Sequence, residues 1–140
     1  MKNHIVTIAL FALMFLFTRC GEGDASTTDA STLKLLTSTG WKIESVMIDN
    51  TDQTSLFPDL VLNFAPDEYT VENGKLVWPS AGVWVFDEND ESVICRDDEV
   101  NITIEEITEN KLVLSLDWPE ITFGKINSIS GQYVFTFVKV

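Results

Sequence analysis

The chain is poor in the residues from which most active sites are assembled. Of its 140 residues one is histidine and two are cysteine, and 9 lysines and arginines stand against 22 aspartates and glutamates. A formal net charge of −13 excludes nucleic acid as a partner, because that affinity comes from basic side chains meeting phosphates. The single histidine, His4, lies inside the N-terminal leader, so the remainder lacks the commonest general base and the commonest metal ligand. No Ser–His or Cys–His pairing can be drawn beyond the leader, and no glycine-rich loop could cradle a phosphate. The expectation is a protein that is not an enzyme, carries no cofactor and binds no metal. With 45% apolar and 11% aromatic residues it is also too greasy to remain disordered.

Long apolar runs are scarce too. The one that exists, residues 5–17, is interrupted only by Thr7 and follows Lys2. As a helix it would reach roughly 20 Å, short of the about 30 Å of bilayer hydrocarbon, which fits the core of a secretory signal better than a membrane span. Cys20 comes directly after, then Gly21-Glu22-Gly23-Asp24. This arrangement resembles a bacterial lipoprotein signal, in which the cysteine is acylated and becomes the first residue of the processed chain. The resemblance implies a signal peptide over residues 1–19, lipidation of Cys20, and a cell-envelope lipoprotein. Gly21 after the cysteine resembles lipoproteins sent on to the outer membrane. The alternative is an ordinary signal with an incidental cysteine. Processing would remove Lys2, Arg19 and His4, leaving 22 acids against 7 bases. With Cys20 acylated, Cys95 has no partner for a disulfide, and in Val93-Ile94-Cys95 it reads as a buried small hydrophobe.

Residues 20–32 read as a flexible acidic tether, containing the near-repeat Asp24-Ala25-Ser26-Thr27-Thr28 and Asp29-Ala30-Ser31-Thr32. From residue 33 to 140 the chain reads as one domain. Ser31-Thr32-Leu33-Lys34-Leu35-Leu36 predicts a short helical turn whose leucines close one end of that domain. After it the pattern has period two: Trp41-Lys42-Ile43-Glu44, Leu62-Asn63-Phe64, Glu68-Tyr69-Thr70-Val71-Glu72, Asn101-Ile102-Thr103-Ile104-Glu105, Lys111-Leu112-Val113-Leu114 and Gln132-Tyr133-Val134-Phe135-Thr136-Phe137. Such alternation means antiparallel strands with one buried face and one wet face. Breakers fall between the runs, and Asn73-Gly74 predicts a tight hairpin. About eight to ten short strands predict an all-β sandwich or barrel, and an antiparallel barrel of about eight strands is the better reading because closure leaves no exposed edge.

The Gly40-Trp41 opening after a short helix, leading into a meander of hairpins, resembles a lipocalin. More closely, the chain is similar to the lipocalin-like domains of small secreted lipoproteins of Gram-negative bacteria. The residues carrying this are those from Leu36 to Val46, Leu62-Asn63-Phe64, Gly82-Val83-Trp84-Val85-Phe86-Asp87, and the stretch from Ile126 to Phe137. The resemblance implies an eight-stranded antiparallel calyx with an apolar interior and no catalytic machinery.

Trp41, Phe64, Tyr69, Trp84, Phe86, Tyr133, Phe135 and Phe137 share the inward phase. Six of them, Phe64, Tyr69, Trp84, Phe86, Tyr133 and Phe135, are candidate ligand-binding residues: an apolar wall with two hydroxyl tips. The competing reading is packing, since rings burying about 150–250 Å² each would fill a narrow barrel. Trp41 reads as a plug of the closed end. Trp118, ahead of Pro119, ends a strand and, where exposed, is a partner contact. Asp87, Asn89 and Glu91 have the alternate spacing of calcium ligands, but without a mid-loop glycine or a distant glutamate they read as a solvated turn. Two functions therefore remain open. One is a membrane-anchored module binding a small apolar or amphipathic ligand. The other is a non-catalytic lipoprotein with a filled barrel whose partner is another envelope protein.

Overall fold

A computed structural model describes residues 25–120, 122–123, 126–127 and 129–140. Cys20 and residues 1–19 lie outside them. Helix α1 (Ala25–Thr37) leads into β1 (Gly40–Ile48), β2 (Thr51–Asp52) and a 3-10 turn at Thr54–Leu56. Then come β3 (Val61–Phe64), β4 (Glu68–Glu72), β5 (Ala81–Phe86), β6 (Val93–Arg96), β7 (Asn101–Ile107) and β8 (Lys111–Trp118). The short pair β9 (Thr122–Phe123) and β10 (Ile126–Asn127) precedes β11 (Gly131–Lys139). Strands β1, β3, β4, β5, β6, β7, β8 and β11 pair in that order, and β11 returns to β1 from Trp41↔Lys139 to Ile48↔Tyr133. All these pairings are antiparallel. The result is the closed eight-stranded barrel that the alternation predicts.

Strand directions give the barrel two ends. At the first lie α1, the start of β1 and the turns at 65–67, 87–92 and 108–110. At the second lie the segments 49–60, 73–80 and 97–100, with the facing ends of β8 and β11. The first end is shut. Leu36 of α1 is fully buried, and the buried Trp41 indole donates to its carbonyl at 3.0 Å. Helix α1 is longer than the one turn predicted from Ser31, beginning at Ala25. Its two alanines, Ala25 and Ala30, have the highest intrinsic helix propensity, while Leu33 and Leu36 supply the tertiary contact that stabilises it.

Two β-bulges correct the simple alternation. In β1 the register against β11 shifts between Ile43 and Ser45, and in β7 the register against β8 shifts between Ile104 and Glu106. Strict period two would turn Met47 and Glu106 inward. The extra residues, Glu44 and Glu105, remain exposed and reset the phase. Val46 and Ile48 then become buried, and Ile107 packs against the core opposite Leu112. Keeping a carboxylate out of an apolar lumen outweighs an unbroken ladder. A bulge also bends and twists its strand, which barrel closure requires. Glu105 is used on the outer surface, where it accepts the Ser115 hydroxyl at 2.5 Å.

The expected hairpin at Asn73-Gly74 is not a two-residue turn. Asn73 does adopt the left-handed conformation (φ 59°), but β4 and β5 are joined by all of residues 73–80. The detour exists because Val77 and Trp78 fold into the barrel, where Trp78 is buried. Gly74 lies against the Trp78 backbone, and a Cβ there would come within 2.4 Å of both Trp78 Cβ and the Trp78 carbonyl oxygen. Its glycine therefore serves close packing more than turn geometry.

Candidate functional site

Aromatic rings line the lumen. All four tryptophans are buried, as are Phe57, Phe64, Tyr69, Tyr133, Phe135 and Phe137. Phe57, arriving from the 49–60 segment, stands edge-on to Phe135 with centroids 5.4 Å apart, and Trp78 meets the same ring at 5.7 Å. Tyr133 and Phe137 stack on either side of Phe135 at 5.7 and 6.1 Å. Two connecting segments thus place an aromatic side chain against the same strand residue.

The six candidate residues do not form one wall. Phe64, Trp84 and Phe86 gather near the α1 end, with Phe64–Trp84 centroids 5.5 Å apart and Trp84–Phe86 5.0 Å, each pair edge to face. Phe86 is only half-buried. The Trp84 indole N–H is shared between the carbonyls of Ala65 and Glu68, each at 3.0 Å, so it ties down the β3–β4 turn. Tyr133 and Phe135 belong to the Phe57 stack, and the Tyr133 hydroxyl donates to the Ile129 carbonyl at 2.5 Å. Burial, and secondarily Asp49, raises the Tyr133 phenol above its ordinary pKa, so it stays a neutral donor. Tyr69 alone of the six joins a polar cluster. Phe64 and Tyr69 also border a hollow of about 130 Å³, together with Asn63, Ala65, Glu68 and Thr70. That is less than half of the roughly 300 Å³ at which ligand pockets usually begin.

The polar cluster is centred on Arg96, which sequence reasoning misses. The last residue of β6, Arg96 faces inward opposite Trp84, and its side chain is 1% exposed. Its Nε donates to Asp98 Oδ1 at 2.9 Å, Nη2 to Asp98 Oδ2, and Nη1 to the Val77 carbonyl at 2.8 Å. Asp98 belongs to the turn after β6, with its side chain 36% exposed, so a carboxylate at the rim neutralises a cation in the interior. Burial works against that carboxylate, but the hydrogen bonds and charge of Arg96, with the backbone, outweigh it and hold Asp98 below the ordinary carboxylate range.

Three aromatic rings surround the guanidinium. The ring centroids of Trp78, Tyr69 and Trp118 lie 5.1, 6.0 and 6.0 Å from Arg96 Cζ. Cation–π attraction of this kind grows as water is excluded. The same three residues carry buried polar atoms without a hydrogen-bond partner among the described residues: the Tyr69 hydroxyl, Trp78 Nε1 and Trp118 Nε1. Trp118 is thus buried, at 6% exposure, and is no surface contact. Tyr69 reaches its place because Gly82 lies opposite it across β4–β5; a Cβ at Gly82 would stand 2.6 Å from the phenol oxygen. Burial first, and then Asp97 and Asp98, raise the Tyr69 phenol against the lowering influence of Arg96, so it too stays protonated. Arg96 has five N–H groups, and three are engaged with Asp98 and Val77. Three buried polar atoms at one end of the barrel lack a partner among the described residues. A buried donor left unmade costs about 1–3 kcal/mol, so such a concentration needs an explanation.

The other chemistry noted in the sequence is placed outside the lumen. Cys95 is half-buried, not buried, because it alternates with Ile94 and Arg96 and pairs with the exposed Val85. Burial and the neighbouring Asp87 carboxylate raise its thiol above the ordinary value, which lowers its nucleophile content. In the 87–92 turn, Asp87 Oδ1 accepts the backbone N–H groups of Asn89 and Asp90, and Asp90 Oδ1 accepts both N–H and hydroxyl of Ser92. Those carboxylates shape the turn itself. Among the described residues no group of three or more His, Cys, Asp and Glu could hold a metal ion. No family model and no curated protein matches this chain, which leaves the chemistry of the Arg96 cluster as the guide to its use.

Proposed function

We propose that the protein is a non-catalytic binding module of the cell envelope, an outer-membrane lipoprotein tethered through lipid on Cys20. It takes a small amphipathic molecule at the end of the barrel away from α1. The observation that supports this is the unequal distribution of polar groups in the lumen. Near α1 the indole N–H groups of Trp41 and Trp84 are bonded to backbone carbonyls, whereas at the far end Arg96 sits among three donors without acceptors among the described residues. An apolar body would lie along the aromatic rings and its polar head would meet those donors. A filled barrel presenting its loops to another envelope protein is the second reading. It is favoured by Phe57 and Trp78, which occupy the lumen against Phe135.

Native mass spectrometry of the protein taken from its own envelope separates the two. A bound mass of a few hundred daltons is the expected result, while a protein partner with no bound small molecule supports the second reading. For the tether, Cys20→Ala is expected to move the protein from the membrane fraction to the soluble fraction. Unchanged membrane association of that variant refutes lipid anchoring.

A further inference from the structure

We infer that the Arg96 cluster receives an uncharged carbonyl oxygen, so that its ligand class is a small ester, ketone or tertiary amide. This rests on the binding reading above and adds the group that is bound. Among the described residues, the unpartnered buried polar atoms at this end are Trp78 Nε1 and Trp118 Nε1, which can only donate, and the Tyr69 hydroxyl, which can donate or accept. The acceptors beside them, both Asp98 oxygens and the Val77 carbonyl, each already take an Arg96 N–H. Two of the three unpartnered atoms can only donate, so a molecule rich in hydroxyl groups would bring further donors to a place where only the Tyr69 oxygen is an open acceptor, and a pure acceptor matches it better.

Charge decides between the two acceptor-only groups that remain. The Arg96 cation is already matched by Asp98, and the same turn carries Asp97 and Glu99 on a protein of net charge −13. A carboxylate ligand would be a second, unmatched anion in a buried place, which is costly. A carbonyl oxygen has two lone pairs for indole or guanidinium N–H groups and brings no charge. The rings of Tyr69, Trp78 and Trp118 offer apolar walls to its substituents. Tyr69, Arg96 and Trp118 stand in strands β4, β6 and β8, whereas Trp78 is carried by the 73–80 connection.

The test uses the four indole N–H signals of the 15N-labelled protein, assigned with Trp78→Phe and Trp118→Phe. N,N-dimethylacetamide, a neutral acceptor without donors, is titrated through the millimolar range expected for so small a fragment. The Trp78 and Trp118 signals are expected to shift saturably, while those of Trp41 and Trp84, already bonded to carbonyls, stay in place. Sodium acetate at matched ionic strength is expected to move none of them. Trp118→Phe keeps a ring and removes one donor, and should weaken dimethylacetamide binding by about tenfold, the worth of one hydrogen bond. If acetate moves the same two signals at lower concentration, the uncharged class is refuted while a binding site at Arg96 stands. If neither probe moves them, or all four signals drift together, both the ligand class and the binding module fail. Unchanged affinity in Trp118→Phe refutes the donor assignment.

Discussion

Asp98→Ala is expected to cost about 2–3 kcal/mol, although Asp98 looks like an ordinary exposed residue of a turn. Surface substitutions away from special features usually stay within about 0.5 kcal/mol. Here the removed carboxylate leaves the Arg96 guanidinium, 1% exposed, as an uncompensated charge inside the barrel. Breaking a fully buried pair costs about 3–5 kcal/mol, and the 36% exposure of Asp98 lets water screen part of that. The reverse change, Arg96→Met, should be milder. It leaves Asp98 where water can replace its two lost hydrogen bonds, and it forfeits besides these the Val77 hydrogen bond and the attraction of three rings. Urea unfolding of both variants at neutral pH checks the order, and an Arg96→Met loss larger than that of Asp98→Ala refutes it.

The same pair has a pH signature. The folded carboxyl of Asp98 lies below its ordinary value, so its contribution is complete above the ordinary carboxylate range and is lost as pH falls through the lowered value. The stability gap between the wild-type protein and Asp98→Ala should therefore be widest near neutrality and close on acidification. A gap that stays constant down to the acid limb places the loss in packing instead of charge.

Whether a feature is legible in the sequence depends on whether its cause is local. The barrel rests on local alternation, and the runs around Leu62, Tyr69, Leu114 and Phe135 carry it openly, because a side chain that faces inward must be apolar. The bulges at Glu44 and Glu105 are not legible, since each depends on which neighbouring strand sets the register. Nor can the pattern show that Phe57 and Trp78, outside any alternating run, fold back into the lumen. Arg96 is a different case. It stands two residues after Ile94 and therefore on the inner face, just as Trp118 continues the phase of Leu112, Leu114 and Leu116. That signal is present, but in the sequence alone a charged residue at a strand end reads as solvated. Only the fold brings Tyr69 and Trp78, from β4 and its following connection, to the same guanidinium. The six aromatic candidates show the converse: shared phase identifies an inner face but not a shared place along the barrel axis.

Trp84→Ala is expected to be the most damaging single substitution among those candidates, at about 3–5 kcal/mol. Its indole lies between Phe64 and Phe86 in two edge-to-face contacts, so truncation opens a cavity bounded by rings that cannot easily collapse. The change also releases the carbonyls of Ala65 and Glu68, both of which belong to exposed residues and can turn to water. That second loss is therefore small, about 1 kcal/mol, and Trp84→Phe isolates it. Trp118→Phe offers the sharpest contrast, because its Nε1 has no acceptor to lose among the described residues. Removing an unsatisfied buried donor offsets the smaller ring, and that variant should lie within about 1 kcal/mol of the wild type. A set of urea midpoints ordered wild type, Trp118→Phe, Trp84→Phe, Trp84→Ala, from most to least stable, is the expected outcome. A Trp118→Phe loss as large as that of Trp84→Phe would mean that Trp118 Nε1 has a bonded partner in solution, which it has not among the described residues.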